Sequence, residues 1–165
     1  MEFAGASISC NDIYMSTRPK VSDSQLLLMT LAEFRYELRQ FLHFSERAAV
    51  AAGLQPQQHQ LLLQVAGAPE CEVVTIAYAA ERLSLRHHSV VELVNRSECE
   101  GLLIRTVDMR DRRRAILKLT RMGELVLGRL AGDHARELKE MAPRLAKALK
   151  RIGMSAQDPA GSKTR

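Results

Sequence analysis

The chain has 165 residues, of which 46% are apolar, 26% charged and 4% aromatic, with no tryptophan. A chain of this length can bury roughly 68–70% of its unfolded surface, so one domain can form without disulfides or a structural metal. The composition is typical of a helix-rich globular protein and excludes a disordered or fibrous one. The net charge of +5 is modest, so where the charges lie matters more than their sum.

The cysteines and the apolar runs indicate a compartment. Cys10, Cys71 and Cys99 are odd in number, far apart and in no C-x-x-C arrangement, which argues against a disulfide framework and a structural zinc site. No apolar run approaches the roughly 18–20 residues that span a bilayer, and residues 1–23 lack the apolar core of a signal peptide. We therefore expect a cytoplasmic protein with no membrane partner.

The chain is expected to form a single domain over residues 24–153. Residues 1–23 and 154–165 show no periodicity and are expected to be flexible tails. Within the domain, apolar or small residues recur every three or four positions over 25–52, which predicts a long amphipathic helix ended by Gly53. Its buried stripe is expected to contain Leu27, Leu31, Phe34, Leu38, Phe41, Ser45, Ala48 and Ala52. Further apolar residues lie off this stripe, so a second contact surface and a homodimer are predicted.

The middle of the chain predicts a helix-turn-helix. Pro56 is suited to the first position of one helix, and Thr75 to the N-cap of a short helix that ends at residue 83. Another helix is expected over residues 86–99. The tight turn at Ser84-Leu85 joins these last two helices, which is the arrangement of a helix-turn-helix.

The rest of the domain predicts a β-hairpin and a final helix. Residues 102–107 and 114–119 are rich in apolar and β-branched side chains and flank a charged loop, so they are expected to form a hairpin, the wing. Thr120 is suited to cap a helix over 121–141, which Pro143 is expected to interrupt before a last amphipathic stretch.

The positive charge is concentrated in the wing. Residues 105–121 contain seven arginines and lysines against two aspartates, a local charge of +5. Such a loop directly after a helix-turn-helix favours contact with DNA phosphates, and the planar arginine fork can also enter a narrow minor groove. Double-stranded DNA is therefore the predicted partner. The expected wing contacts are Arg110, Arg112, Arg113 and Arg114.

Three short motifs lie within residues 75–123: AERL at 80–83, Asp-x-Arg in Asp111-Arg112-Arg113, and Leu119-Thr120 followed by Gly123. In this order and spacing they resemble the winged helix-turn-helix core of the MarR family of bacterial transcriptional regulators. The resemblance implies a mainly α fold with a small β-hairpin wing. It also implies a core over about 56–120 and long terminal dimerisation helices over about 25–52 and 121–152.

The resemblance also implies a function. The chain is expected to be a repressor that binds a pseudo-palindromic operator as a homodimer and is released by a small-molecule effector. By the same resemblance, Arg113 aligns with the wing arginine that probes the minor groove, and Asp111 with the acid that orients it. The chain departs from the family pattern at Arg86 and Ser97, so a base preference is not carried over.

The helix over residues 86–99 is the expected recognition helix. Its spacing directs Val90, Leu93, Val94 and Ser97 inward and leaves the opposite face for DNA. The expected contacts on that face are Arg86, His87, His88, Ser89, Val91 and Asn95. Asn95 carries the paired donor and acceptor that suit adenine. Glu92 would repel phosphates unless it accepts from cytosine or pairs with a neighbouring arginine.

No motif supports an enzyme, a cofactor or a metal. The chain has no G-x-S-x-G, no P-loop and no H-E-x-x-H. The adjacent His87 and His88 point about 100° apart on a helix, whereas a chelating pair needs a spacing of three or four. Weak candidates for an effector pocket at the junction of the first two helices are His43, Arg47 and His59.

Two alternatives stay open. Glu92 and the unusual Ser97 are the motive for a winged-helix adaptor that binds a protein partner without reading DNA. A thiol-based oxidant-sensing regulator would differ only in its trigger, for which Cys99 is the candidate, although a cysteine there is more often a small packing residue.

Overall fold

The computed structural model describes residues 22–109, 111 and 114–155. These residues form five helices and one antiparallel hairpin, so the predicted fold class is confirmed. The predicted tails lie almost wholly outside the described residues. In chain order the elements are α1 (Asp23–Ala51), α2 (Pro56–Ala66), α3 (Ile76–Leu83), α4 (His87–Cys99), β1 (Leu103–Val107), β2 (Ala115–Leu119) and α5 (Arg121–Ser155).

Side-chain caps fix where the helices begin. The Thr75 hydroxyl accepts from the backbone N–H of Tyr78 at 3.2 Å, and the Thr120 hydroxyl accepts from that of Gly123 at 3.1 Å. Both predicted N-caps are therefore confirmed. The caps satisfy backbone donors that the first turn of a helix leaves without a partner.

Helices α1 and α5 form an antiparallel pair, which we call the body. Glu37 of α1 is 2.8 Å from Arg144 of α5, and Ser45 of α1 is 2.8 Å from His134 of α5. Residue numbers rise along α1 as they fall along α5, so the two helices run in opposite directions. Glu37 is buried and its guanidinium partner is half exposed, and this carboxylate is the main cause that raises the pKa of Arg144.

The predicted stripe of α1 is wrong in part. Leu27, Leu31 and Leu38 are exposed, whereas Thr30 and Glu37 are buried in their place. Both polar side chains have partners there, because the Thr30 hydroxyl donates to the Leu26 carbonyl at 2.8 Å and Glu37 binds Arg144. Leu27, Leu31 and Leu38 are thus left exposed in the single chain.

The predicted interruption at Pro143 is also wrong. Helix α5 continues through this residue to Ser155. Proline removes one backbone hydrogen bond from a helix interior, but Met141 and Ala148 on either side of it are only 1% and 4% exposed. Burial against α1 and the Arg144 ion pair therefore outweigh the lost bond.

The remaining elements, α2 to α4 and the hairpin, form a compact lobe around one apolar core. The strands pair from Leu103 opposite Leu119 to Val107 opposite Ala115. The chain just before α3 adds to this sheet, since the Leu117 N–H donates to the Val74 carbonyl at 2.8 Å. Buried members of the core include Leu54, Leu61, Leu62, Ala79, Val90, Leu93, Val94, Leu103 and Leu117.

The described residues show neither a membrane span nor a metal-binding cluster. No helix there is long and apolar enough to cross a membrane. The same residues contain no group of three or more histidine, cysteine or acidic side chains placed to hold a metal ion.

Candidate nucleic-acid interface

The inward face of α4 anchors it in the lobe. Val90, Leu93, Val94 and Ser97 are buried, as predicted. The hydroxyl of Ser97 donates to the Leu93 carbonyl at 2.9 Å, so its polar atom is satisfied within the core. Ser97 therefore does not weaken the packing of this helix, which removes one motive for the adaptor.

The outward face of α4 presents the predicted DNA contacts to solvent. Arg86, the N-cap residue, is exposed together with His87, His88 and Asn95, while Ser89 and Val91 are half-buried. Glu92 is exposed on the same helix and has no ion-pair partner among the described residues. Of the two alternatives for Glu92, the pair with a neighbouring arginine is therefore not observed, and acceptance of a hydrogen bond from cytosine stays open.

The wing is described only in part. Arg110, Arg112 and Arg113 lie outside the described residues, so their predicted contacts stay predictions, as does the orientation of Arg113 by Asp111. Arg114 is half exposed, and its guanidinium lies 4.0 Å from the buried carboxylate of Asp108. The backbone closes a turn beside it, because the Arg114 N–H donates to the Asp111 carbonyl at 2.9 Å.

A groove of about 360 Å³ brings the helix and the wing together. His87 lines it from the start of α4 and Arg114 from the base of the wing. The start of a helix carries unpaired N–H groups and a partial positive charge. This groove therefore favours an anion, such as a phosphate. Its other lining residues are Thr75, Ile76, Ala77 and Ala115.

The far end of α4 is tied to the wing by a network that the sequence did not reveal. Arg105 of β1 donates to Glu98 of α4 from its backbone N–H at 3.1 Å, from Nε at 3.0 Å and from Nη2 at 2.8 Å. Hydrogen bonds from Arg105 hold the pKa of the Glu98 carboxyl below its usual value. Arg105 Nη2 also donates to Oδ1 of Asn95.

Only His59, of the three predicted effector-pocket residues, lines a cavity at the junction of α1 and α2. A cavity of about 200 Å³ lies between α1 and α2, and His59 lines it. His43 and Arg47 are exposed on α1 and are not among its lining residues. The lining consists of Leu42, Ser45, Glu46, Pro56, Gln57, His59 and Gln60.

His59 packs against His134 of α5, with ring centroids 4.9 Å apart and an angle of 41° between the ring planes. The Nδ1 of His134 lies 2.6 Å from the Leu130 carbonyl, which can only accept, so Nδ1 carries the proton. In the neutral ring, Nε2 then accepts from the Ser45 hydroxyl at 2.8 Å. Three elements, α1, α2 and α5, thus meet at two imidazoles.

We expect the stability of the protein to depend on His59 in mildly acidic solution. Burial, and secondarily the charge of His134, lowers the pKa of His59 below its ordinary value near 6.5. The unfolded chain therefore binds this proton first, so the stabilisation is complete above about pH 6.5 and is lost as the pH falls. Urea unfolding between pH 8 and 5 should show a free energy of unfolding that decreases by at most about 1.4 kcal/mol per pH unit from this group.

The matched variants are His59→Gln, which should flatten this dependence, and His88→Gln, which should not. His88 is exposed on α4. An unchanged pH dependence in His59→Gln would contradict the assignment.

Comparison with known proteins indicates a family. The model of the MarR family matches residues 52–114, which run from the end of α1 through the wing loop. A protein of Thauera aromatica assigned as the transcriptional regulator of the hcr operon is 27% identical over 114 residues, covering 69% of this chain and 67% of that protein. These matches support a MarR-family winged-helix regulator. This is a family of transcriptional regulators.

Solved MarR-family structures share the fold at low identity. The crystal structure of the Staphylococcus aureus MepR–DNA complex is similar with a TM-score of 0.60 at 18% identity, covering 75% of this chain and 89% of that one. CouR from Rhodococcus jostii RHA1, bound to p-coumaroyl-CoA, is similar with a TM-score of 0.58 at 19% identity, covering 89% and 100% of the two chains.

Several residues near the site could not be identified from the sequence. Glu98 and Arg105 were missed as site residues because the return of β1 along the end of α4 is a tertiary contact. His134 was missed because it is 75 positions from His59 in the chain. Cys71 and Cys99 are exposed, so the packing interpretation of Cys99 is wrong.

Proposed function

We propose that this MarR-family protein is a repressor that binds double-stranded DNA as a homodimer on a pseudo-palindromic operator. One observation carries the proposal: His87, at the start of the exposed face of α4, and the wing arginine Arg114 line the same anion-favouring groove. The similarity of the fold to MepR, whose structure was solved with DNA, supports it.

The residues of the interface divide into two kinds of contact. Arg86, Ser89 and Arg114 lie where the lobe can donate to phosphates, which position a protein on the duplex without reading its sequence. His87, His88, Val91 and Asn95 lie on the face that would enter the major groove, where base edges and the thymine methyl distinguish sequences. Arg110, Arg112 and Arg113 would add phosphate and minor-groove contacts from the wing loop.

The homodimer is supported by apolar surface on the body. In the single chain, large apolar side chains remain exposed along both α1 and α5, and an exposed apolar surface of this kind marks an interaction site. Dimerisation would bury them and place two recognition helices in two half-sites. They are Leu26, Leu27, Leu28, Met29, Leu31, Tyr36, Leu38, Leu42 and Val50 of α1, and Met122, Leu125, Leu138 and Leu149 of α5.

Release by an effector is supported by the position of the cavity beside His59. The cavity adjoins both the body and the lobe, so an occupant could change how they sit together. CouR, which has this fold, was solved with p-coumaroyl-CoA. The cavity of about 200 Å³ is smaller than the roughly 300–1,000 Å³ of sites for drug-sized ligands. We therefore expect a small effector or a cavity that enlarges on binding.

Selection of bound sites from random duplex DNA tests the proposal. A repressor of this kind should enrich an inverted repeat with half-sites about 34–36 Å apart, one turn of the double helix. Footprints should cover both half-sites. Weak binding without enrichment of any sequence would refute the proposal and favour the protein-binding adaptor.

Replacing Arg114 with Ala should weaken binding to all duplexes and reduce its salt dependence. If Arg114 neutralises one phosphate, its loss should change the slope of log K against log salt concentration by about 0.9. Base preferences should stay the same, because a phosphate contact carries no sequence information. Titrations by fluorescence anisotropy at several salt concentrations measure the slope.

Arg129→Ala is the matched control for Arg114→Ala. Arg129 is exposed on α5, outside the lobe, and its removal changes the net charge by the same amount. The control should keep the slope of the natural protein. Equal slopes in all three proteins would show that Arg114 does not contact a phosphate.

A further inference from the structure

We propose that Asn95 reads guanine, as a hydrogen-bond donor, and that Arg105 and Glu98 are the positioning residues that give it this specificity. The inference rests on the proposed function and names a base for one of its contacts. It replaces the adenine preference that the amide side chain alone suggests.

The first step is the anchoring of Arg105. Glu98 accepts three hydrogen bonds from this residue, two from the guanidinium and one from the backbone N–H. The two side chains are only 30% and 37% exposed, so the pair is partly shielded from solvent. A charge-assisted contact with several bonds has one preferred geometry. The guanidinium is therefore fixed at the end of α4 before DNA arrives.

The second step is the orientation of Asn95. Asn95 and Glu98 are three residues apart on α4 and so lie on the same face of the helix. Arg105 Nη2 donates to the Asn95 Oδ1, and only the oxygen of an amide can accept such a bond. The two N–H donors of Nδ2 have no partner among the described residues. Asn95 is exposed, so these donors are available to DNA.

The third step is the match to a base edge. Reading adenine requires an asparagine oxygen that accepts from N6 and a nitrogen that donates to N7. Here the Arg105 guanidinium engages one of the two lone pairs of the oxygen, so the pair formed by Asn95 and Arg105 presents mainly donors and a positive charge. Guanine presents two acceptors, O6 and N7, in the major groove, whereas the adenine N6 amino group would meet donors. The network therefore favours guanine over adenine at this position.

The test is selection of bound sites with the natural protein, Asn95→Ala, Arg105→Met and Glu98→Gln. The position that loses its preference in Asn95→Ala is the base read by Asn95. We expect guanine there in the natural protein. Arg105→Met keeps much of the side-chain volume but removes the donor, which frees Oδ1, so the ratio of guanine to adenine should fall about five-fold or more. Glu98→Gln should shift the ratio in the same direction by less, since it only loosens Arg105.

Circular dichroism and sedimentation of each variant show whether it keeps its fold and assembly. If Arg105→Met does not fold, Glu98→Gln decides the outcome alone. An adenine preference in the natural protein, no position affected by Asn95→Ala, or an unchanged ratio in the folded positioning variants would overturn the inference. If a palindrome is still enriched, those results overturn only the inference about Asn95 and not the proposed function. Failure to enrich any sequence refutes both the inference and the proposed function.

Discussion

Replacing Gly123 with Ala should lower the free energy of unfolding by about 3 kcal/mol, because the first turn of α5 rests against the backbone that follows α4. A Cβ at Gly123 would lie 2.0 Å from the Leu102 carbonyl oxygen and 3.1 Å from its carbon. The contact is with backbone, which cannot turn aside as a long side chain can. For a chain of this size the change corresponds to a melting temperature lower by about 10 °C.

The backbone at this contact is held in place by two further hydrogen bonds. The Thr120 N–H donates to the Leu102 carbonyl at 3.1 Å, and the Thr120 hydroxyl donates to the Gly101 carbonyl at 2.5 Å. Relief of the clash would therefore disturb the cap of α5 as well. Urea unfolding measures the loss.

Gly128→Ala, in the same helix, is the matched control for Gly123→Ala. A Cβ there meets nothing within 4 Å, and alanine is favoured over glycine in a helix by about 1 kcal/mol. The control should therefore be as stable as the natural protein or more so. If the free energy of unfolding of Gly123→Ala lay within about 0.5 kcal/mol of that of the natural protein, the size of an ordinary surface substitution, the contact with Leu102 would relax freely.

Introducing Glu at Leu28 and Leu149 together should dissociate the proposed dimer. These side chains are 59% and 54% exposed in the single chain, on α1 and α5 respectively. In a dimer formed through the body they would be buried, and a buried carboxylate without a partner costs several kcal/mol. The dissociation constant of the dimer should rise about 100-fold or more. Sedimentation equilibrium at micromolar concentration measures it.

Val107→Glu tests whether any added acid has this effect. Val107 is exposed at the end of β1, in the wing and away from the body. This control should remain dimeric. Sedimentation of the natural protein as a stable folded monomer would refute the dimer outright, and dimers in the double variant would show that another surface joins the chains.

The ends of several elements could be predicted because their signals are local. Thr75 and Thr120 are N-caps that act within three residues of their own position. Gly101 has a φ of 69°, a backbone conformation that glycine adopts readily, and it follows α4 closely as predicted. Local chemistry of this kind is visible in a single sequence.

The body was predicted less well because its details depend on a partner helix. Hydrophobicity alone assigns Leu31 and Leu38 to the buried stripe, yet Thr30 and Glu37 take the buried positions. Glu37 can be buried only because Arg144 lies opposite, and these residues are 107 positions apart. At Pro143 the local rule that proline ends a helix likewise fails, because packing holds α5 together there.

The sequence predicts which face of α4 is exposed at the site, but it does not predict the hydrogen bonds that the exposed side chains form. The period of α4 separates Val90, Leu93 and Val94 from the outward residues without knowledge of the rest of the fold. The bond from Arg105 to Asn95 depends instead on how β1 returns after Gly101, which no spacing in the sequence encodes. Periodicity thus identifies which residues of α4 face outward, and tertiary contacts decide which hydrogen-bonding groups they present.

The pairing of the chain before α3 with β2 has a consequence for cooperativity. The amide of Leu117 is buried and bonded to the Val74 carbonyl, and Thr75 forms a bridge with Ile116. Hydrogen exchange at Leu117 therefore requires the hairpin to separate from the segment that leads into the helix-turn-helix, so the strands and helices of the lobe should open together. A signal arriving from the body would then turn the lobe as one unit. It would alter the distance between the two recognition helices of the proposed dimer rather than the angle between helix and hairpin.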